Sequence, residues 1–455
     1  MSASPGAADE DTLAGALASF AARTTWDDLP DTIRHEAKRS LLNFFGTALG
    51  GWIDPAVEQL HDLLTSVSGP AEASVIGCSA KLDVLGASFL NAVSANVLDF
   101  DDTHMPTIIH PSAPVAPPLL ALAERTRMPG RDLLAAFAVG VDVACRLGAS
   151  VSPGHYARGW HITTTCGVIG AAAASAKALG VGRDGIAHAI GIAACGSAGL
   201  VENLPNGAKN VQVGNAARNG LFAALAAERG ITAAPFTLEG TGGWGAAFGV
   251  QPDRAVLLGG LGQRWELARN AYKASPCGIV LAPVIDAALM LRSEHGVLAG
   301  TVAKVSVRGS PLLLARANRP AVPDDRIAKL SIQHSVAVAL LLGAAGVPEF
   351  SDAAIRRPDV ADLRSRVDAE ADPDLRAEEA YVTAYLNDGQ HIEVHVPHAR
   401  GSLEKPLSDA EIEDKLRELA RLGAPGLDPA PLIDAVWALD RSDDAGAIMR
   451  HARPN

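Results

Sequence analysis

The chain has 455 residues, a formal net charge of −12 and only 4% aromatic residues. That length allows two or three domains with a large core, and the acidity argues against nucleic acid or an anionic membrane as partner. Abundant alanine favours helix packed on helix, because Ala loses no side-chain entropy on folding. Five cysteines without paired spacing argue against a disulfide framework or a Cys-based zinc site and fit a reducing cytoplasm. Met1 to Glu10 is small and acidic rather than basic and then apolar, so no signal peptide is expected there. The apolar runs are Ala/Gly-rich and broken by charge, so no membrane span is expected.

In chain order, Asp11 to Arg23 has helical period. A second helix starts near Pro30, carries Ile33, Ala37, Leu41, Phe44 and Phe45 at spacings of three and four, and ends around Gly50-Gly51. Val57 to Val67 reads as a short helix, Ala73 to Gly77 as a brief extended piece, and Leu82 to Val97 as a helix. Helix resumes over Pro111 to Glu124, where Pro114, Pro117 and Pro118 should bend it or delay its start. Gly130 to Leu147 is amphipathic. The loop Ser152 to His161 opens a small-residue helix, Thr163 to Leu179, which Thr163, Thr164 and Thr165 are placed to cap. Helices follow at Asp184 to Ala194 and Val213 to Glu228, with a loop over Gly196 to Gly207 between them. Ile231 to Gly249, rich in Gly and Thr, reads as irregular surface.

The composition shifts near Trp265. Thr301 to Val307 alternates and is β-branched, as a strand requires. Ser331 to Leu342 is helical. Tyr381 to Leu386 and His391 to Val396 flank Asn387-Asp388-Gly389, a hairpin signal. Helix returns from Ser408 to Leu422 and from Pro429 to Leu439. The expected fold is therefore mostly α: a large helical domain from residues 1–266 and 403–455, with a smaller α+β domain inserted over 267–402.

One stretch, Asn96 to Ser112, is unusual. It sets Asp99, Asp101, Asp102, Thr103, His104 and His110 between apolar helical segments, with Phe100, Ile108 and Ile109 where a solvent loop would carry Gly, Ser or Lys. Elsewhere, His161 follows Gly159-Trp160, Lys209 lies in Pro205 to Asn210, and Lys273 lies in Asn270 to Cys277. Asp99, Thr103, His110, His161, Lys209 and Lys273 are thus the candidate catalytic residues, each at a loop-to-helix junction where backbone N–H groups gather. Each also has a plain reading, as a surface side chain or a helix cap. His104 has the acidic neighbours of a metal ligand but no second imidazole at helical spacing, so no metal is expected. No nucleophile-elbow, Walker or dinucleotide fingerprint stands in the right setting. Imidazoles for proton transfer with lysines for anions suit a substrate bearing carboxylates, in which proton removal or CO2 loss creates an enolate-like transition state.

Leu98-Asp-Phe-Asp-Asp-Thr-His104, Ile109-His-Pro-Ser-Ala-Pro114, Gly159-Trp-His161, Ala208-Lys-Asn210, Tyr272-Lys273 with Pro276-Cys-Gly278, and Ser331 to Ala339 together resemble the MmgE/PrpD family. Known members are 2-methylcitrate dehydratase, cis-aconitate decarboxylase and iminodisuccinate epimerase. The resemblance implies a homodimer, a large helical domain built from both ends of the chain, a smaller inserted α+β lid with the active site beside it, and no metal or organic cofactor. It points to the same six residues, and His334 stands where the decarboxylase carries a lid tyrosine. Ser112 and His104 join His334 as expected substrate contacts. Asp101-Asp-Thr-His104 stands where the dehydratases read closer to Asn-Asp-Thr-Trp, which points away from methylcitrate. The expected function is a cofactor-independent lyase, a dehydratase or decarboxylase of a small di- or tricarboxylate. An epimerase using the same site, with His110 and His161 as opposed bases, and a metal hydrolase on the Asp/His stretch are the alternatives.

Overall fold

The computed structural model describes residues 10–454. The chain divides into two compact units. The first takes the chain up to Val97, Asp101–Asn270 and the chain from Asp409; the second takes Leu98–Phe100 and Ala271–Ser408. The fold is mostly α, with the β structure concentrated in the smaller, α+β second unit.

The first unit is built around the helix Ile162–Ala178, whose residues are buried from Ile162 to Ala176. It is apolar all round, as a central helix must be, and it packs against Ser112–Thr126, Gly130–Val151, Gly182–Cys195 and Ala208–Glu228. Small residues set the spacing. A Cβ on Gly170 would collide with the Gly140 carbonyl and Ala144 of the Gly130–Val151 helix, so the two backbones approach closely only because both positions are glycine. Among the described residues, Gly130–Val151 alone has the length and apolarity to cross a bilayer, and 94% of its apolar window is buried inside the protein, as in a core helix. Asp31–Gly50 buries Phe44 and Phe45, each contributing about 1.5–3 kcal/mol. Asp409–Gly423 packs on that helix, where Lys415 Nζ donates to Asn43 Oδ1 at 2.8 Å and Arg39 pairs with Asp409.

Three local expectations are corrected. Ser112–Thr126 begins before all of its prolines rather than late; Pro114 sits in the first turn, whose N–H groups have no intrahelical partner to lose. The threonines do not cap Ile162–Ala178. His161 is the N-cap residue, and Thr164 and Thr165 lie inside the helix, where their hydroxyls donate back to the His161 carbonyl. The stretch after Ile231 is not all surface: Leu238 and Trp244 are buried, and a short helix, Trp244–Phe248, stacks Trp244 against His155 at 5.2 Å.

In the second unit the four strands stand in the order Val367–Ala371, Val302–Gly309, Ala380–Leu386, His391–Val396. The first pair is parallel and the others antiparallel. Val302, Val305 and Val307 face the core. The helices Ala282–Ser293 and Ile332–Leu342 pack against the sheet. The hairpin turn carries Gly389 at φ 87°, a left-handed conformation that glycine adopts without a Cβ clash.

Candidate active site

The Asn96 to Ser112 stretch is folded by a tight turn. His104 N donates to Ile109 O at 2.7 Å and Ile108 N to His104 O at 2.8 Å. Ile108 sits at φ 59°, a rare conformation for a β-branched residue that only a well-determined surrounding sustains. The turn brings His110 back over residues 101–103. Its Nδ1–H donates to the Asp102 carbonyl at 2.7 Å, with Thr103 Oγ1 at 3.3 Å and the Asp101 carboxylate at 3.5 Å. A carbonyl can only accept, so the neutral ring carries its proton on Nδ1 and its lone pair on Nε2. The carboxylate beside it favours the imidazolium when Nε2 takes a second proton.

A ring of polar contacts holds this arrangement. Asn96 Nδ2 donates to Asp101 Oδ2 at 2.6 Å, and Asn210 Nδ2 donates to Asn96 Oδ1 at 3.0 Å. Asn210 lies in the first turn of Ala208–Glu228, one residue after Lys209, which is buried. Lys209 is the second residue of that helix, at a loop-to-helix junction. From the same helix Gln212 reaches His161: its Nε2 donates to His161 Nδ1 at 2.8 Å. His161 heads Ile162–Ala178, and Thr163 of that helix accepts from His110 N at 3.2 Å. His110 and Thr103 meet at the turn, Asn96 and Asn210 brace Asp101 beside them, and Gln212 holds His161, while Lys209 precedes Asn210 on the same helix.

Ser112 and His104 are committed to structural duties. The Ser112 hydroxyl donates to Asp102, which also accepts from Asn270 Nδ2 at 2.6 Å. Burial pushes the Asp102 carboxyl up to about 6 against these two bonds. His104 is fully buried with both ring nitrogens engaged, by Thr107 Oγ1 at 2.7 Å and Glu266 Oε2 at 3.0 Å, which leaves neither for a substrate or a metal. Burial lowers the His104 pKa despite Glu266 beside it. Burial would raise Glu266, but the hydrogen bond from His104 with Arg264 and Arg269 outweighs it and holds that carboxyl at about 2. The two shifts differ on the charge of His104; full burial decides for the neutral ring, with the arginines balancing Glu266.

In the second unit, Lys273 Nζ donates to Asp99 O at 2.9 Å and to Asp99 Oδ1 at 3.2 Å, and its side chain is only 3% exposed. Asp99 sits at φ 56°, so a left-handed turn presents its carbonyl and carboxylate to the same ammonium. His334 is buried. Its Nε2 donates to Glu349 O at 2.9 Å, and its Nδ1 has no hydrogen-bond partner. Burial brings its pKa down to about 4.

Sequence reasoning missed Asp101 as a partner of His110, and it missed Asn96, Asn210 and Gln212. Only Gln212 left a trace, since it lies three residues beyond Lys209 and so on the same helix face.

Two family models match the chain: the MmgE/PrpD N-terminal domain over residues 15–256 and the MmgE/PrpD C-terminal domain over residues 275–437. A cis-aconitate decarboxylase from Homo sapiens is 30% identical over 410 residues, spanning 86% of this chain and 84% of that protein. Cis-aconitate decarboxylases from Mus musculus and Aspergillus terreus are each 28% identical, over 93% and 95% of this chain and 89% and 94% of their own length.

Proposed function

The chain belongs to the MmgE/PrpD family, and from that premise we propose that it is a cofactor-independent lyase that decarboxylates a small unsaturated tricarboxylate of the cis-aconitate kind. The observation that carries the reading is His110: its Nδ1 is anchored on the Asp102 carbonyl beside the Asp101 carboxylate, which assigns the transferred proton to Nε2. The names of the relatives favour loss of CO2 over loss of water.

In the proposed reaction the C–C bond to one carboxylate breaks and CO2 departs. The electron pair stays on carbon, delocalised into the neighbouring unsaturated carboxylate. The His110 imidazolium delivers a proton from Nε2 to that carbon, and the neutral ring is reprotonated from water. Asp101 stabilises the imidazolium before transfer. Lys209 and Lys273 act on substrate carboxylates, and donors at the start of Ile162–Ala178, His161 first among them, hydrogen-bond the enolate oxygen as charge develops. Asp99 orients the Lys273 ammonium, and Thr103 Oγ1 stands 3.3 Å from the His110 Nδ1–H as a second acceptor. The protein is proposed to work in the cytoplasm as a homodimer, which sedimentation equilibrium would test.

The test is incubation of the purified protein with cis-aconitate in deuterated water. The expected result is CO2 release and one solvent deuteron on carbon in the product. Solvent exchange without loss of CO2 or water from any small tri- or dicarboxylate would overturn the lyase reading in favour of an epimerase.

A further inference from the structure

We propose that Gln212 is a positioning residue that keeps His161 uncharged, with its proton on Nε2, so that of the two imidazoles only His110 passes through the cation. The inference deepens the decarboxylase reading and rests on it for the role of His161, while the state of the ring itself is independent of any activity.

Residues 159–161 and 199–201 run antiparallel: Trp160 bridges Leu200, His161 N donates to Gly199 O at 3.0 Å, and Val201 N donates to Gly159 O at 2.8 Å. Gly199 has φ 141°, and a Cβ there would overlap Thr164 Oγ1, so this approach requires glycine. Gln212 pins the pair to its own helix. Its Oε1 accepts from Leu200 N at 2.9 Å, which fixes which end of the amide is nitrogen. Its Nε2 then donates both to Leu200 O at 3.3 Å and to His161 Nδ1 at 2.8 Å.

An amide NH2 has no lone pair to offer a ring N–H. A proton on His161 Nδ1 would set donor against donor, so the imidazolium is disfavoured and the neutral ring holds its hydrogen on Nε2. His161 is also the N-cap of a 17-residue helix, whose positive end further opposes a cation. Charged and titratable groups on the elements around it include Lys209 one turn before Gln212, Arg218 further along that helix, exposed Glu202 after Leu200, Tyr156 and exposed Arg158 before Trp160, His155 beside Trp160, and the His110–Asp101 pair reached through Thr163. Of these, Lys209 also opposes a positive ring. His110 is wired the opposite way, with a carbonyl and a carboxylate facing Nδ1. A neutral imidazole used as a fixed N–H donor is a known way to polarise an oxygen in a proton-transfer site.

The experiment uses the full-length enzyme labelled with 15N-histidine. The His161 resonances are assigned by their loss in His161→Gln and followed by pH titration, beside the pH profile of kcat with cis-aconitate. The expected wild-type result is a neutral, Nε2-protonated ring at every pH where activity varies. In Gln212→Glu the carboxylate accepts from Nδ1–H, so the His161 titration should move up by about 1–3 units. Its kcat should fall about 10–100-fold, with KM nearly unchanged and with the thermal midpoint preserved. Gln212→Met, which offers Nδ1 no donor, should restore ordinary titration of the ring. An imidazolium or an Nδ1-protonated ring at neutral pH in the wild type, or an unmoved His161 titration in a folded Gln212→Glu, would overturn the assignment. The expected spectra with no CO2 released would support the Gln212 assignment and overturn the decarboxylase reading instead.

Discussion

Replacing Asp101 by asparagine tests the proton carrier directly. The substitution keeps the shape of the side chain, and its amide oxygen can still accept from Asn96, which donates at 2.6 Å. It removes the negative charge 3.5 Å from His110 Nδ1. At that distance, with an effective dielectric constant near 20, the attraction between carboxylate and imidazolium is on the order of 4–5 kcal/mol. The Asp102 carbonyl stays in place, and desolvation of the pair offsets part of the gain, so the net effect is the smaller one usual for a neighbouring opposite charge, about 1–3 pKa units. At 1.36 kcal/mol per unit this is about 1.4–4 kcal/mol, and His110 should become harder to protonate by that amount. Because the proposed step needs the imidazolium, kcat at pH 7 should fall about 10- to 1,000-fold and recover as the pH is lowered. The assay is CO2 release from cis-aconitate across pH, with thermal unfolding measured on the same sample. A folded Asp101→Asn variant whose pH profile coincides with wild type would refute the pairing and leave Asp101 a packing residue.

Lys273→Met should raise KM about tenfold or more, since losing one charged hydrogen bond costs about 1.5–3 kcal/mol; a KM unchanged at full activity would remove Lys273 from substrate binding. His155, buried among Trp160, Trp244 and Phe248, and His334 are both held by burial at about 4. Each is neutral in the fold and gains a proton on unfolding below its ordinary value near 6.5, so stability falls as the pH drops from about 6.5 to 4, by roughly 2–3 kcal/mol per ring. Replacing either with phenylalanine should flatten that part of a Tm-versus-pH curve, and an unflattened curve for both would show the rings to be charged when folded. Gly199→Ala should lower kcat by at least tenfold through displacement of the His161 segment, read against a control at Gly230, where φ is also positive but a Cβ meets nothing. Dialysis against a chelator should leave activity intact; loss restored by a divalent ion would return the metal hydrolase to consideration.

The helices were legible where apolar spacing and punctuation agreed. Asp31–Gly50 and the hairpin around Gly389 fall where Ile33 to Phe45 and Asn387-Asp388-Gly389 place them. The parallel edge strand Val367–Ala371 was not, because Val-Asp-Ala-Glu-Ala reads as helix-forming and only Val367 is buried; pairing with Val302–Gly309, not local preference, makes it a strand. In the site, residue types suggested His110 and His161 but were silent on their states. Those depend on what faces Nδ1, a carbonyl eight positions back in one ring and an amide 51 positions on in the other, and no periodicity records such partners. His104 looked like a ligand for the same reason: the buried Glu266 that occupies it lies 162 residues away.

The division of the first unit across the chain has a consequence for biosynthesis. While the nascent polypeptide is still on the ribosome, Asp31–Gly50 is made hundreds of residues before the segment that covers it. Until Asp409–Gly423 emerges, Asn43 lacks the Lys415 ammonium, and Gly46 lacks the Leu416 backbone that its missing Cβ admits to close range. An apolar, half-finished bundle must therefore wait through the translation of an entire second unit. At about 5–20 residues per second the segment Ala271–Ser408 alone takes about 7–28 s to make, and for that time the face of Asp31–Gly50 that Asp409–Gly423 will cover has no partner.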